Sequence, residues 1–371
     1  MLTLTMFLSL LPVITLLLCP LEARAQGAPD APPKPPNFII YLLDDLGYGE
    51  PSQQNLSWSF PADPYGVPVP RPFNNSQRTM SSPNLSRFAS QGMRAFLSYS
   101  PSSECAPSRA SLMTGRNVGT LPIRGDSVTA SNGLNPNLNE VNIAKVLHDH
   151  AGYDTAIIGK WGLGSSTGAP WNQGYNYFYG QLEHKEAWAC FPPQLWSVDT
   201  SKVNVATASV LSLLSTLQGN VADLAQGMIT ENNCPLAPTN PCQHTNDMFR
   251  EQALSFISKH NTAKSTPFFL YWAPTAPHVG FYSEGQLLSS PVKREGNRTG
   301  EMTACRRGHA SQIEQHIDFD INSLLNLLES SPLLDGNTLV IFSSDNGAHQ
   351  VTFVVAVFTS LSAKRTNHSK Q

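Results

Sequence analysis

The order of apolar runs along the chain predicts an α/β fold built on a mostly parallel sheet with helices on both faces. Three observations carry this. Residues 37–43, Asn-Phe-Ile-Ile-Tyr-Leu-Leu, are continuously apolar after the first position, as suits a strand buried on both sides. Similar runs at 154–158, 267–272 and 338–342 are separated by stretches of helical spacing, the alternation that builds parallel sheets. The first run ends abruptly in Asp44-Asp45, and the others lead to Gly159-Lys160, His278 and Asp345-Asn346-Gly347. Ligands of such sheets collect beyond the carboxyl ends of the strands, so these side chains are expected to share one site.

The helices between the strands follow from their punctuation. Residues 83–92 open with proline and close with glycine, residues 140–150 close before Gly152, and residues 313–328 repeat apolar positions at helical spacing. Residues 52–79, rich in Pro, Asn, Gln and Ser, are expected to form a long surface loop. Residues 181–242 show no readable pattern. After His349 the character changes: 351–358 is apolar without helical or alternating order, a polar basic stretch follows, and no folding role is expected for this tail, 351–371.

With 371 residues and 40% hydrophobic content, the chain can bury a large core. A net charge of -3, from 24 basic and 27 acidic side chains, provides no basic field, which argues against nucleic-acid partners. The apolar stretch 7–18 followed by Ala23-Arg24-Ala25 is expected to be a signal peptide, 1–25, although no Lys or Arg precedes it. A membrane anchor is the alternative, disfavoured because Pro12 interrupts a run shorter than the roughly 20 residues a bilayer requires. A Pro-rich linker, 26–36, and a main domain, 37–350, follow. A secreted chain without a membrane span would let Cys190, Cys234, Cys242 and Cys305 form two disulfides, with pairing left open by their spacing. Asn-x-Ser/Thr sequons at Asn55, Asn74, Asn84, Asn297 and Asn367 agree with that route.

Asp44, Asp45, Asp345 and Asn346 provide hard oxygen donors from two strand ends, the set that calcium or magnesium takes, so one divalent cation is expected. The same residue types are also common in simple turns. Cys105-Ala106-Pro107-Ser108-Arg109, continued by Thr114-Gly115-Arg116, resembles the sulfatase signature Cys-x-Pro-x-Arg followed by Thr-Gly-Arg. The resemblance runs from Asn37 to about His349 and implies the alkaline-phosphatase-like form of the α/β fold. It implies that Cys105 is oxidised by the formylglycine-generating enzyme, that one hydroxyl of the hydrated aldehyde attacks the sulfur of a sulfate-ester substrate, and that the other helps expel sulfate. It further implies Ca2+ as the cation, with Asp44, Asp45, residue 105, Asp345 and Asn346 around it, and an extracellular or lysosomal location. A helix starting near Ser108 would aim free N–H groups at the anion while Arg109 fixes the diol. By the same resemblance Lys160 contacts a sulfate oxygen and His278 protonates the leaving alcohol.

Two departures from the family pattern stand out. Many sulfatases have Gly-Lys-Trp-His-Leu-Gly, in which the histidine assists collapse of the diol; here that position is Gly162, and His184 is a candidate replacement. Members also continue past Asp-Asn-Gly to a second lysine and a smaller C-terminal subdomain, a role that Lys364 does not match. The expectation is therefore a sulfuric ester hydrolase, with weak or no turnover if the tail after His349 is confirmed. The alternatives are a non-catalytic secreted fragment and a phosphoesterase of the same fold, for which Cys-x-Pro-x-Arg would have no purpose.

Overall fold

The computed structural model describes residues 34–47, 81–95, 98–128, 133–135, 140–165, 167–184, 194–202, 229–231, 244–262, 266–278, 312–347 and 357–361. The expected leader, the 52–79 loop, Cys190, Cys234, Cys242 and Cys305, and the sequons other than Asn84 lie outside these residues. The chain divides into two units, Met1–Pro35 and Pro36–Gln371, and everything below concerns the second.

Among the described residues the strands are β1 (Asn37–Leu43), β2 (Met93–Ala95), β3 (Asp154–Lys160), β4 (Tyr177–Gln181), β5 (Gln194–Asp199), β6 (Ile229–Glu231), β7 (Phe268–Ala273), β8 (Thr338–Ser344) and β9 (Val357–Leu361). They form one sheet in the order β2-β9-β8-β1-β7-β3-β4-β5-β6. The centre is parallel as expected, β8, β1, β7, β3 and β4 running one way, whereas β5, β6, β9 and β2 join through antiparallel pairs. The helices are α1 (Pro83–Gln91), α2 (Cys105–Thr114), α3 (Ile143–Ala151), α4 (Thr245–Lys259) and α5 (Asp318–Glu329).

Alternation along the central strands explains the two covered faces. Ile39, Tyr41, Leu43, Phe268, Leu270 and Trp272 point into a core shared with α1, α4 and α5. Ile40, Leu42, Phe269, Tyr271 and Ile157 point into the opposite core, where Ala106, Ala110 and Met113 of α2 pack.

Three expectations are corrected. The helix placed near Ser108 begins at Cys105, because Pro107 fits a first helical turn, so residue 105 itself belongs to that turn. The helix expected over 313–328 opens as a π-helical segment, Ile313–Ile317, before α5. The tail is not without a folding role: β9 lies antiparallel between β8 and β2, supplying hydrogen-bond partners that an apolar strand needs. Asn84, the one described sequon asparagine, stands in α1 with its amide donating to Asp318 Oδ2 at 2.7 Å.

A polar network crosses the first core. Tyr41 donates to Asp320 Oδ2 at 2.9 Å, and Arg250 reaches Asp320 Oδ1 at 3.3 Å and Asp247 Oδ1 at 2.8 Å. His316 Nδ1 lies 3.5 Å from Asp247 Oδ1, and its ring stacks on His244 with centroids 4.1 Å apart. Burial lifts Asp320 to about 7 against the pull of Arg250, while burial and His316 hold His244 well below the ordinary histidine value.

Candidate active site

The expected residues do come together. Asp44 and Asp45 leave β1, Asp345 and Asn346 leave β8, Lys160 ends β3, His278 follows β7, and α2 presents Cys105 and, one turn later, Arg109. All eight side chains are buried, Asp44, Arg109 and Lys160 completely. Parallel neighbours bring β1 and β8 to the same end, and Asp345 N–H donates to Leu43 O at 3.0 Å, which sets the two acidic turns side by side.

Cys105 Sγ sits 3.2 Å from Asp44 Oδ1 and 3.8 Å from Asp45 Oδ1. Lys160 Nζ donates to Asp44 Oδ2 at 2.8 Å and to Oδ1 at 3.0 Å. Arg109 bridges two acids, its Nη2 lying 2.8 Å from Asp345 Oδ2 and 3.2 Å from Asp44 Oδ1, while Nε also donates to Asp345 Oδ2. His278 Nε2 lies 3.4 Å from Asp45 Oδ2. Asp45 adopts a left-handed conformation (φ 64°), which costs roughly 1–2 kcal/mol in a non-glycine residue, and its carboxylate is held by the Asn346 amide.

Charge in this site is arranged by the two cations. Burial would raise Asp44, but Lys160 and Arg109 hold it well below the usual carboxylate range. Burial lifts Asp345 to about 7, Arg109 opposing. Burial, then Asp345 and Asp44, push the Cys105 thiol up, so an unmodified cysteine here stays protonated.

The ligand atoms of Asp44, Asp45, Cys105 and His278 lie within 4.8 Å of one another. Asn346 Oδ1 is buried and accepts no hydrogen bond among the described residues. An uncommitted buried amide oxygen beside three aspartates fits a hard cation such as Ca2+, which would supply the missing partner. Asp345, expected among the ligands, is also engaged by Arg109 through Oδ2 and by the Asp45 N–H through Oδ1.

Sequence reasoning missed several supports. Ser108 Oγ donates to the Asp345 carbonyl, Tyr271 OH stands 3.5 Å from Arg109 Nη1, and Asp126 Oδ1 accepts the Ala106 N–H at 2.9 Å. Ser108 lies inside the signature; nothing local marks Tyr271 or Asp126. Gly159, with φ 116°, places β3 against β7 so closely that a Cβ would stand 1.9 Å from Ala273 O. Only glycine fits, and Lys160 follows it directly.

The Sulfatase family model matches residues 36–354. The chain is 28% identical to the mouse (Mus musculus) N-acetylgalactosamine-6-sulfatase over 346 residues, covering 90% of this chain and 54% of that protein. It is 29% identical to human (Homo sapiens) arylsulfatase G over 321 residues, covering 84% of this chain and 51% of that protein. It thus spans about half the length of the curated relatives it matches. Among solved structures, Ps i-CgsB superposes with a TM-score of 0.57 at 21% identity, over 88% of this chain and 66% of that one, a likeness of fold.

Proposed function

Because the chain belongs to the sulfatase family, we propose that it hydrolyses sulfuric esters at residue 105, using one Ca2+ and a formylglycine formed from Cys105. The observation that carries this reading is the seat of Cys105. It lies at the first turn of α2 with Sγ 3.2 Å from Asp44, inside a buried cluster of oxygen donors. A formylglycine there would supply a hydrate hydroxyl as nucleophile, and a cation held beside it would supply the positive charge that polarises it.

The chain's own residues account for the remaining work. Asp44, Asp45, Asp345 and Asn346 hold the cation, Asn346 through the buried Oδ1 that has no other use. Arg109 keeps Asp44 and Asp345 apart yet fixed, and with the α2 N-terminus it sets a positive field around residue 105. Lys160, fully buried against Asp44, offers Nζ to a sulfate oxygen. His278 donates a proton from Nε2 to the leaving alcohol oxygen, with Asp45 orienting the ring.

The leader-like stretch 7–18 supports a secretory route, extracellular or lysosomal, where the formylglycine-generating enzyme would act. No described helix is long and apolar enough to cross a membrane.

Mass spectrometry of the residue-105 peptide from secreted protein is expected to show the aldehyde. Purified protein is expected to cleave aryl sulfate in preference to aryl phosphate, to lose that activity on chelation and to regain it with Ca2+. An unmodified or disulfide-bonded Cys105, or a preference for phosphate, would sink the reading.

A further inference from the structure

His278 is held by more of the molecule than the contact of its ring with Asp45 shows. The turn that delivers it, residues 275–278, follows β7 and closes on itself, His278 N–H donating to Thr275 O at 2.9 Å. Three neighbouring elements fasten that turn from different sides. At the end of β1, Asp44 N–H donates to Ala276 O at 3.2 Å. In the first turn of α4, Asn246 Oδ1 accepts from Thr275 N–H at 3.1 Å and from Thr275 Oγ1 at 3.4 Å. Just before the π-helical segment, Gln312 Nε2 donates to His278 O at 3.2 Å.

Asn246 and Gln312 are the two side chains that make these bonds, and both are buried, 0% and 1% exposed. Each bond ends on the backbone or the hydroxyl of the turn, so removing the amide loosens the turn without changing the imidazole. Asn246 is fixed in its own place, its N–H donating at 3.2 Å to Nδ1 of His244, which caps α4. Its Nδ2 has no acceptor among the described residues, so Oδ1 is the end of the amide in use. A proton donor acts only within hydrogen-bond reach of the oxygen it serves, and a misplacement of about 1 Å can cost on the order of a hundredfold in rate.

We propose that Asn246 and Gln312 are positioning residues for His278, fixing the backbone from which its Nε2 reaches the leaving alcohol oxygen. This rests on the sulfatase reading and deepens it: a loss at either position falls on departure of the alcohol, not on binding of the sulfate.

The test is a double-mutant cycle on the full chain, in which Asn246→Leu, His278→Gln and the two combined each turn over an alkyl sulfate and an aryl sulfate of acidic phenol. In Asn246→Leu, kcat for the alkyl sulfate is expected to fall on the order of ten- to a hundredfold, with a much smaller loss for the aryl sulfate and KM near the parent's. On the His278→Gln background the same change is expected to add nothing, because the group it positions is gone. Asn246→Asp keeps an acceptor oxygen in the first turn of α4, where a helix favours negative charge, and is expected to retain most of the parent's alkyl sulfate turnover. Loss by the same factor on both backgrounds, no loss on either, or an Asn246→Asp that melts with the parent yet turns over like Asn246→Leu would overturn the proposal. Where Asn246→Leu melts early, Gln312→Met repeats the cycle from the other side of the turn, with the same expected and refuting outcomes. A parent that cleaves neither ester sinks the sulfatase reading by itself. Hydrogen exchange at the Thr275 and His278 amides then decides the restraint, faster exchange in Asn246→Leu supporting it and unchanged exchange refuting it.

Discussion

Among the described residues, buried Arg109 and half-buried Arg250 each bridge a pair of aspartates, and they do so to different ends. Arg109 reaches Asp345 at 2.8 Å and Asp44 at 3.2 Å; Arg250 reaches Asp247 at 2.8 Å and Asp320 at 3.3 Å. Around Arg250 the acids' oxygens face local donors: Tyr41 takes Asp320 Oδ2 and His316 approaches Asp247 Oδ1. That cluster sits under α4 and α5 and joins them to β1. Around Arg109 the acids lie at strand ends, Asn346 Oδ1 is left over, and ligand atoms converge on Cys105. Among the described residues, both groupings of three or more ligand atoms contain Cys105, and neither contains Asp247 or Asp320. Buried charge alone therefore marks no site; unspent donors aimed at one point do.

The sharpest way to break the comparison is to remove each arginine. Arg109→Ala leaves Asp345 buried without its cation and Asp44 with Lys160 alone, and is expected to cost about 3–5 kcal/mol by urea unfolding, with aryl sulfate cleavage falling at least on the order of a hundredfold. His278→Gln should leave stability nearly unchanged while kcat falls on the order of a hundredfold. That loss should be larger for an alkyl sulfate than for an aryl sulfate of acidic phenol, since a poor leaving group needs the proton more. Arg250→Ala is expected to cost about 1–3 kcal/mol, less than Arg109→Ala because its side chain is 14% exposed, with activity per folded molecule unchanged.

The smallest effect is a change of slope. Asp320, raised to about 7 when folded, binds a proton on folding, so its contribution is complete below about pH 4 and is lost as pH rises through 7. His244, lowered when folded, has the opposite sign: its contribution is present above about pH 6.5 and is lost as pH falls. Between these limits the two nearly cancel. Asp320→Asn removes one arm, and urea midpoints between pH 7 and 5 are expected to fall with acid more steeply than the parent's, by up to about 1.4 kcal/mol per pH unit.

The sequence made the functional end more legible than the periphery. β1 was readable because its apolar run sits between a proline-rich stretch and two aspartates, and its bounds, Asn37–Leu43, are those expected. The turns after β1, β3, β7 and β8 were readable because ligand-type residues stand at the strand ends. The start of α2 was placed late because Pro107 was not used as a first-turn residue. β4, Tyr177–Gln181, was missed because its aromatic residues and Gly180 give neither alternation nor a plain apolar run. Helix α4 shows its spacing at Phe249, Ala253, Phe256 and Ile257, yet the pattern is diluted by Asp247, Arg250 and Glu251. Asp126 and Tyr271 were invisible for a different reason: their roles come from tertiary approach, which no local pattern encodes.

Gly159 gives the site a constraint of another kind. With Ala273 O where its side chain would be, the two strands that deliver Lys160 and His278 are locked in lateral spacing by the absence of atoms. Laboratory evolution of this chain toward new sulfate esters would find loop positions open to change and residue 159 closed. Even alanine there would pry the lysine's strand from the histidine's, altering a gap that no substitution at either functional residue could restore.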